Sequence, residues 1–349
     1  MQTEHKIIIS DSRRMEMIED ESVNLVITSP PYPMIKMWDA LFSSFSPEIH
    51  SALERNDSDY AFESMHSELD KVWNEVYRVL KPGSVACINI GDAVRSVDNN
   101  FKLYPNHARV ISACRNIGFE CLPVILWRKP TNAPNKFMGS GMLPSAAYVT
   151  LEHEYILILR KGGKRKFNTD VEKTKRMKSA FFWEERNKWF SDIWEIKGTS
   201  QNLAFTDLRK RSAAFPIDLC YRLINMYSIY EDLVLDPFSG TGTTNLACIV
   251  CGRNSIGVEL DESFKRLFAE QVKSFLPEAN SMLSGRISRH IEFIDQYEKS
   301  AGKAAYINKP YGFKVITRQE KEIEFYKLSD ISIQNGLQDL HLNVMYSRY

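Results

Sequence analysis

Two short motifs carry the residues best suited to chemistry, and each follows a run of aliphatic residues. Ser29-Pro30-Pro31-Tyr32 follows the run 23–28, and Asp236-Pro237-Phe238-Ser239-Gly240-Thr241-Gly242-Thr243 follows the run 233–235. Apolar runs of this length predict strands, and open parallel sheets bind their ligands at the carboxyl ends of their strands. The two motifs are therefore predicted to face one shared cleft.

The first motif suits the capture of an amine on an aromatic ring. The lone pair of such a nitrogen is delocalised into the ring, so acceptors must hold its N–H bonds while the lone pair turns toward an electrophile. Ser29 Oγ and the Pro30 carbonyl oxygen can be the two acceptors, and Pro30 and Pro31 stiffen the loop. Tyr32 can stack on the ring, a contact worth ~1–3 kcal/mol. Because serine is a weak base at neutral pH, we expect direct transfer, with the proton lost to water afterwards. A plain proline turn is the alternative without function.

The second motif predicts a tight turn from a strand into a helix whose first amides are free to bind a ligand. A nucleoside triphosphate would require a lysine after the glycines, where the chain has Thr243-Thr244-Asn245. A dinucleotide would favour a third small residue in place of Asn245. S-adenosylmethionine carries an ammonium group that Asp236 can meet and a carboxylate that loop amides can meet.

Glu259 ends the next predicted strand, 255–260, seventeen residues after Gly242. A carboxylate at this point can accept both hydrogen bonds of a ribose diol. By itself it could equally be a surface or helix-capping carboxylate. Joined to the glycine loop, it favours S-adenosylmethionine as the ligand.

The elements that must position these motifs alternate along the chain, as expected for an α/β protein with a mostly parallel sheet covered by helices. Strands are predicted at 7–9, 23–28, 85–90, 124–127, 155–159, 233–236 and 255–260. Helices are predicted at 62–80, 107–116, 215–227, 244–251 and 287–298, the first of them stopped by Lys81-Pro82-Gly83.

The composition predicts a cytoplasmic globular protein. The chain has 349 residues, 44% of them hydrophobic, and no apolar stretch long enough for a membrane span or a secretory signal. Its six cysteines are scattered over apolar segments, which indicates reduced, buried thiols. Cys248 and Cys251 are expected to pack in a helix, and no metal site is predicted.

The net charge is +1, but residues 160–211 hold 15 Lys and Arg against 7 Asp and Glu. This segment is either a phosphate-binding face or a solvated basic surface. Since the alternation of elements breaks down over 161–201, we expect an insertion or a small separate lobe there.

In this order, the two motifs resemble the beta-class DNA amino-methyltransferases of bacterial restriction-modification systems. Five further segments are similar to that family: Ile7-Ile8-Ile9-Ser10-Asp11-Ser12, Arg78 to Gly83, Trp127 to Pro130, His153 to Leu157 and Ala213 to Pro216. The resemblance spans residues 5–270 and implies a Rossmann-like S-adenosylmethionine-dependent methyltransferase fold with a circularly permuted motif order. It implies a catalytic domain of 1–160 and 202–274 and a target-recognition segment at 161–201, and it leaves 275–349 as an unmatched C-terminal extension that is a second candidate for DNA contact. Many relatives carry a histidine where this chain has Arg211-Ser212. The pocket for the methionine part of the cofactor is therefore expected to differ in detail from theirs.

The resemblance implies transfer of a methyl group to the N4 amine of a cytosine flipped from double-stranded DNA. The Ser-Pro-Pro-Tyr form is mostly associated with cytosine N4, whereas an aspartate in first position is typical of adenine N6. The implied catalytic residues are Ser29, Pro30, Pro31 and Tyr32. The implied S-adenosylmethionine-binding residues are Asp11, Phe215, Asp236, Phe238, Gly240, Gly242, Thr243 and Glu259.

Alternatives remain open at this point. Adenine N6 methylation would use the same acceptors, and an inactive DNA-recognition subunit would keep the fold without turnover. Methylation at a ring carbon would need a cysteine after a proline, and none of the six cysteines follows one. A nuclease is disfavoured because Asp192 lies too near Glu195-Ile196-Lys197 in the sequence to act as the usual separated metal ligand.

The resemblance also implies partners. A cognate restriction endonuclease is expected in the same system, and the chain is expected to be a monomer or homodimer.

Overall fold

An eleven-stranded sheet runs through the part of the chain that the computed structural model describes, which is residues 1–98, 100–129, 138–198, 215–300 and 302–349. Five neighbouring strands at its centre are parallel, in the order β3, β2, β12, β13, β1, and antiparallel strands continue the sheet on both sides. The strands are β1 Gln2–Ile9, β2 Val23–Thr28, β3 Leu80–Ile90, β4 Ala93–Val97, β5 Asn100–Tyr104, β6 Phe119–Cys121, β7 Ile125–Arg128, β8 Met138–Gly139, β9 Ala147–Tyr148, β10 His153–Lys161, β11 Ile193–Glu195, β12 Leu233–Asp236, β13 Asn254–Glu259, β14 Tyr306–Ile307, β15 Lys314–Val315, β16 Tyr326–Asn335 and β17 Asp339–Arg348.

Helices cover both faces of this sheet. They are α1 Asp39–Phe45, α2 Pro47–Glu54, α3 Ser58–Val79, α4 Asn106–Ile117, α5 Asp170–Lys178, α6 Trp183–Trp189, α7 Ile217–Tyr227, α8 Thr243–Cys251, α9 Ser263–Lys273 and α10 Leu276–Ser300. One hydrophobic core joins α7, α8 and α10 to the sheet, and the other joins α1 to α4 to the opposite face. The predicted α/β fold with a mostly parallel sheet is confirmed.

The long helix α3 begins and ends for local reasons. Asp57 caps its first turn by accepting a hydrogen bond from the Tyr60 amide at 3.3 Å, and a stripe of residues at three- and four-residue steps is buried against the sheet. The helix ends at Val79 because Leu80 turns to extended backbone, and β3 then runs through Pro82 and Gly83. The sequence predicted a strand only from residue 85, so Lys81-Pro82-Gly83 starts a strand as well as stopping a helix.

Residues 161–198 pack into the main body, so of the two predicted alternatives the separate lobe is wrong and the insertion stays a prediction. Strand β11 pairs in parallel with β7 at one end of the sheet, and Trp189 and Trp194 are buried in the core of the α7 and α8 face. Just before α6, the Phe182 ring stacks on His290 of α10 with ring centroids 3.6 Å apart. Residues 199–201 lie outside the described part of the chain.

Five of the basic residues of this segment are paired with acids elsewhere in the chain. Arg165 forms two hydrogen bonds with Asp232, at 2.6 and 2.9 Å. The other such ion pairs are Arg160 with Glu120, Lys161 with Glu21, Lys175 with Glu231 and Lys178 with Glu324. Part of the positive charge counted from the sequence therefore stabilises the fold.

Residues 275–349 also build the sheet. Strand β17 pairs with β1 over residues 2–8, and β16 then forms the sheet edge. Leu340, Leu342 and Val344 are fully buried in the core below α8. The predicted C-terminal extension is thus an integral part of the sheet. Within the described residues, no helix is both long enough and apolar enough to cross a bilayer.

Candidate active site

A cavity of about 500 Å³ opens at the carboxyl ends of β2, β12 and β13, where the two sequence motifs meet. Ten of the sequence-predicted site residues line it: Asp11, Ser29, Pro30, Pro31, Phe215, Asp236, Phe238, Gly240, Thr243 and Glu259. Tyr32 and Gly242 do not line it. The predicted shared cleft is therefore present, because the two strands that deliver the motifs are neighbours in the sheet.

Asp236 is buried at the floor of the cavity and held by three protein donors. Its Oδ1 accepts hydrogen bonds from Thr28 Oγ1 at 2.7 Å and from the Phe238 amide at 3.0 Å, and its Oδ2 accepts one from Thr244 Oγ1 at 2.6 Å. Burial raises the pKa of Asp236 to about 6, although these hydrogen bonds oppose the rise. A carboxylate fixed in this way is suited to meet a cation in the cavity.

Glu259 is tied to the glycine loop that it was predicted to complement. Its Oε2 accepts the Gly240 amide at 2.7 Å, while Oε1 accepts the amides of Leu260 at 2.8 Å and Asp261 at 3.0 Å. Burial raises the pKa of Glu259 despite these amides. A carboxylate has about four lone-pair sites, two on each oxygen, so Oε1 is fully used by its two amides and Oε2 keeps one site for a ligand hydroxyl.

The two glycines of the loop play different parts. Gly242 has a φ of +78° at the start of α8, and a Cβ there would lie 2.3 Å from Cδ2 of Phe268. Gly240 also has a positive φ, +50°, but a Cβ there would meet nothing within 4 Å. Gly242 is therefore required for packing, whereas Gly240 leaves space on the cavity side.

Asp11 reaches the cavity from the end of β1 and is paired with Arg13. Arg13 Nη2 lies 2.6 Å from Asp11 Oδ2, and Arg13 Nη1 lies 2.6 Å from Oε2 of Glu68 on α3. Partial burial disfavours the charged form of Asp11, but the hydrogen bonds from Arg13 outweigh it and lower the pKa. This arrangement fixes an ionised acid at the cavity wall.

A roof of apolar side chains was not anticipated from the sequence. The segment after Tyr32 turns into a short 3₁₀ helix, Lys36–Trp38, and then α1, and it brings Trp38, Leu41 and Phe45 over the cavity. Arg95 of β4 holds this segment through two hydrogen bonds of 2.8 Å to Asp39. An apolar roof above acidic walls suits a ligand that combines a flat ring with polar and cationic groups.

Behind Ser29 lies a polar network that sequence reasoning missed. Ser29 Oγ is 2.9 Å from the Tyr32 hydroxyl, which is 3.0 Å from Oε2 of Glu154 on β10. Asn89 of β3 donates to the Tyr32 hydroxyl at 2.8 Å and to Glu154 Oε2 at 2.7 Å. Lys129 Nζ pairs with the other Glu154 oxygen. The only sequence signals were a polar residue inside the buried run 85–90 and a glutamate before the run 155–159.

Tyr32 therefore differs from the expectation that it stacks on a substrate ring. It is 8% exposed, and its ring packs so close to Gly91 that a Cβ there would lie 3.0 Å from Tyr32 Cε2. Its hydroxyl, rather than its ring face, is directed to Ser29.

The cysteines are free thiols, five buried and Cys121 exposed. In the described residues no group of three or more His, Cys, Asp or Glu side chains could hold a metal ion.

Comparison with known proteins places this site in a family. Residues 23–270 match the N6/N4 methyltransferase family, described as DNA methylase. The chain is 53% identical over 328 residues to the type II methyltransferase M.MthZI of Methanothermobacter thermautotrophicus, which covers 93% of this chain and 91% of the relative. It is 51% identical over 281 residues to the type II methyltransferase M.MjaI of Methanocaldococcus jannaschii, covering 77% and 91%.

Solved structures share the fold. TTHA0409 of Thermus thermophilus, complexed with S-adenosyl-L-methionine, matches with a TM-score of 0.59 at 32% identity and covers 76% of this chain and 92% of its own. The PvuII DNA methyltransferase, which is cytosine-N4-specific, matches with a TM-score of 0.51 at 19% identity and covers 76% and 86%. The second likeness concerns the fold alone.

Proposed function

The chain belongs to the N6/N4 DNA methylase family, and from that membership we propose that it methylates the exocyclic N4 amine of a cytosine flipped from double-stranded DNA. It is a DNA methyltransferase that uses S-adenosyl-L-methionine. The target base and the roles of individual residues form the proposal. The observation that carries it is that Ser29 lines the same cavity as Asp236 and Glu259.

The cavity residues fit the cofactor. When bound, S-adenosyl-L-methionine supplies a methyl group on a positively charged sulfur. Asp236 would meet its ammonium group, Glu259 would accept a ribose hydroxyl at Oε2, and Asp11 would meet its adenine. The open space at Gly240 admits close approach of the cofactor to the backbone. Phe215, Phe238 and the apolar roof shield the cavity from water.

Ser29 is the group that meets the substrate amine. Ser29 Oγ and the Pro30 carbonyl oxygen accept the two N–H bonds, which turns the nitrogen lone pair toward the cavity. The amine nitrogen would gain the methyl group that the cofactor supplies and would release one proton to water. Both prolines line the cavity, so the rigid loop holds the amine beside the cofactor.

The choice of cytosine over adenine is supported by serine in the first position of the motif. Both amines are held by the same two acceptors, so geometry alone permits either base. Adenine N6 is thus the competing outcome of any product analysis. We further propose that residues 161–201 and 275–349 contact DNA and that a cognate restriction endonuclease accompanies the protein.

The experiment that tests this function supplies purified protein with methyl-labelled S-adenosyl-L-methionine and either unmethylated duplex DNA or RNA. Label is expected in DNA and not in RNA. The Ser29→Ala variant should bind the cofactor as the wild type does but transfer at least about 100-fold more slowly. Label in RNA alone, or no label despite cofactor binding, would reject the proposal.

A further inference from the structure

The polar network behind Ser29 has a defined direction of proton donation. It consists of Ser29, Tyr32, Asn89 and Glu154, which come from the loop after β2, from β3 and from β10. Asn89 is 3% exposed and the Glu154 side chain 16%, so solvent has little access to these groups. The position of each proton therefore follows from which atoms have one to give.

Glu154 fixes the first step. One of its oxygens is paired with the Lys129 ammonium group, and the other lies within hydrogen-bond distance of both Asn89 Nδ2 and the Tyr32 hydroxyl. A carboxylate has no proton to donate. The Asn89 amide must accordingly present its NH₂ group, as it does, and Tyr32 must donate its single proton to Glu154.

With its one proton donated to Glu154, the Tyr32 hydroxyl can only accept hydrogen bonds from its other two neighbours, Asn89 and Ser29. It accepts one Asn89 N–H at 2.8 Å and can accept one more proton, which Ser29 provides across 2.9 Å. If Tyr32 instead donated to Ser29, its oxygen and Glu154 Oε2 would lie 3.0 Å apart without a proton between them. Buried oxygens in contact without a proton are costly, so this reverse arrangement is disfavoured.

Tyr32 stays neutral in this position. Burial, the charge of Glu154 and the hydrogen bond to it raise the pKa of Tyr32 well above its ordinary value. Its proton is consequently present for Glu154 throughout the neutral range.

We propose that Glu154 is a positioning residue for methyl transfer, because it draws the Tyr32 proton to itself and so makes Ser29 an acceptor toward the substrate. With its own proton directed to Tyr32, Ser29 Oγ presents a lone pair to the amine N–H. A serine proton pointing into the cavity would face an N–H bond, and two donors repel. This inference deepens the proposed function and depends on it.

The Glu154→Gln variant tests the inference with little change in shape. Lys129 requires an acceptor, so the glutamine carbonyl turns to Lys129 and its NH₂ group faces Tyr32. An NH₂ group cannot accept the Tyr32 proton, so Ser29 would no longer be required to donate to Tyr32 and its proton would be free to turn toward the amine. We expect kcat to fall about 10- to 100-fold, with the KM for S-adenosyl-L-methionine changed less than twofold. Glu120→Gln, which breaks the Arg160 ion pair at the far end of β10, is the matched control and should keep the wild-type rate.

Double-mutant analysis separates positioning from general damage. In a Ser29→Ala background, Glu154→Gln should cost less than twofold further, because the group that it orients is gone. Tyr32→Phe, which removes the linking hydroxyl, should behave in the same way if Glu154→Gln fails to fold. Full activity of Glu154→Gln, or an equal loss with and without Ser29, would overturn the inference. Failure of the proposed function is distinct, since the wild type itself would then transfer no methyl group to DNA.

Discussion

Thr28 Oγ1 donates a 2.7 Å hydrogen bond to Asp236 Oδ1, although 208 residues separate the two along the chain. Thr28 is the residue before Ser29, and Asp236 is the first residue of the glycine-loop motif. The bond is possible because β2 and β12 are adjacent parallel strands, with Val26 opposite Leu235. It joins the loop that we propose holds the substrate amine to the acid that we propose meets the cofactor.

Replacing Thr28 by valine removes this bond without changing the shape of the side chain. We expect the free energy of unfolding to fall by about 1–3 kcal/mol, because a buried carboxylate loses a donor. Cofactor affinity should fall as well, since the pKa of Asp236 rises further. Urea denaturation and calorimetric titration measure both quantities. Thr174→Val, at an exposed position of α5, is the control and should stay within about 0.5 kcal/mol of the wild type.

The ionisation of Asp236 predicts a pH dependence of stability. Burial raises its pKa from 3.8 to about 6, so between these pH values the folded protein binds more protons than the unfolded chain. This contribution to the free energy of unfolding is complete below the unfolded pKa and is lost as the pH rises through about 6.

Between pH 5 and pH 7, the wild type should therefore lose about 1 kcal/mol of stability relative to Asp236→Asn. Urea titrations of both proteins at the two pH values measure the difference, and other titrating groups cancel in it. A difference that stays constant, or that moves in favour of the wild type at the higher pH, would show that Asp236 is not buried as described.

Much of this site could be predicted from the sequence because its parts are local. A strand followed by Ser-Pro-Pro-Tyr, and a strand followed by a glycine turn and a helix, are each specified within about ten residues. In a parallel sheet the carboxyl ends of neighbouring strands lie on the same side, so the shared cavity could be predicted from the fold class alone. The cavity is lined, as this reasoning predicts, by Ser29, Asp236, Gly240 and Glu259.

The parts that could not be predicted depend on pairing between distant segments. Glu154 reaches Asn89 only because β10 runs antiparallel beside β3, and no short pattern specifies that neighbour. Similarly, β17 pairs with β1 across almost the whole length of the chain. The sequence predicted stacking for Tyr32 because its ring was considered without the buried partners of its hydroxyl.

The two loop glycines should respond differently to the same change. Gly242→Ala would place a methyl group against Phe268 in a left-handed backbone, and we expect it to cost at least about 3 kcal/mol of folding stability. Gly240→Ala meets no neighbour, so only the backbone term of about 1–2 kcal/mol remains. Its larger effect should be on cofactor affinity. Equal destabilisation by the two variants, measured by urea denaturation, would contradict this distinction.

Arg286 tests whether the C-terminal region is part of the fold. It is buried and donates two 2.7 Å hydrogen bonds to Glu185 of α6, within a set of aromatic rings. Arg286→Met would leave the mostly buried side chain of Glu185 without its cation, at a cost of about 3 kcal/mol. Arg289→Met, exposed on the same helix, should be close to neutral. If thermal unfolding of the two variants were alike, residues 161–198 and α10 would not stabilise each other.

The identity of the methylated base tests the central claim most directly. Unmethylated bacterial genomic DNA is incubated with the protein and methyl-labelled S-adenosyl-L-methionine, digested to nucleosides and resolved by mass spectrometry. The predicted product is labelled N4-methylcytosine, reduced at least about 100-fold by Ser29→Ala. Labelled N6-methyladenine in its place would contradict the assignment of cytosine while leaving the cofactor site intact. Unlabelled DNA would contradict the assigned activity itself.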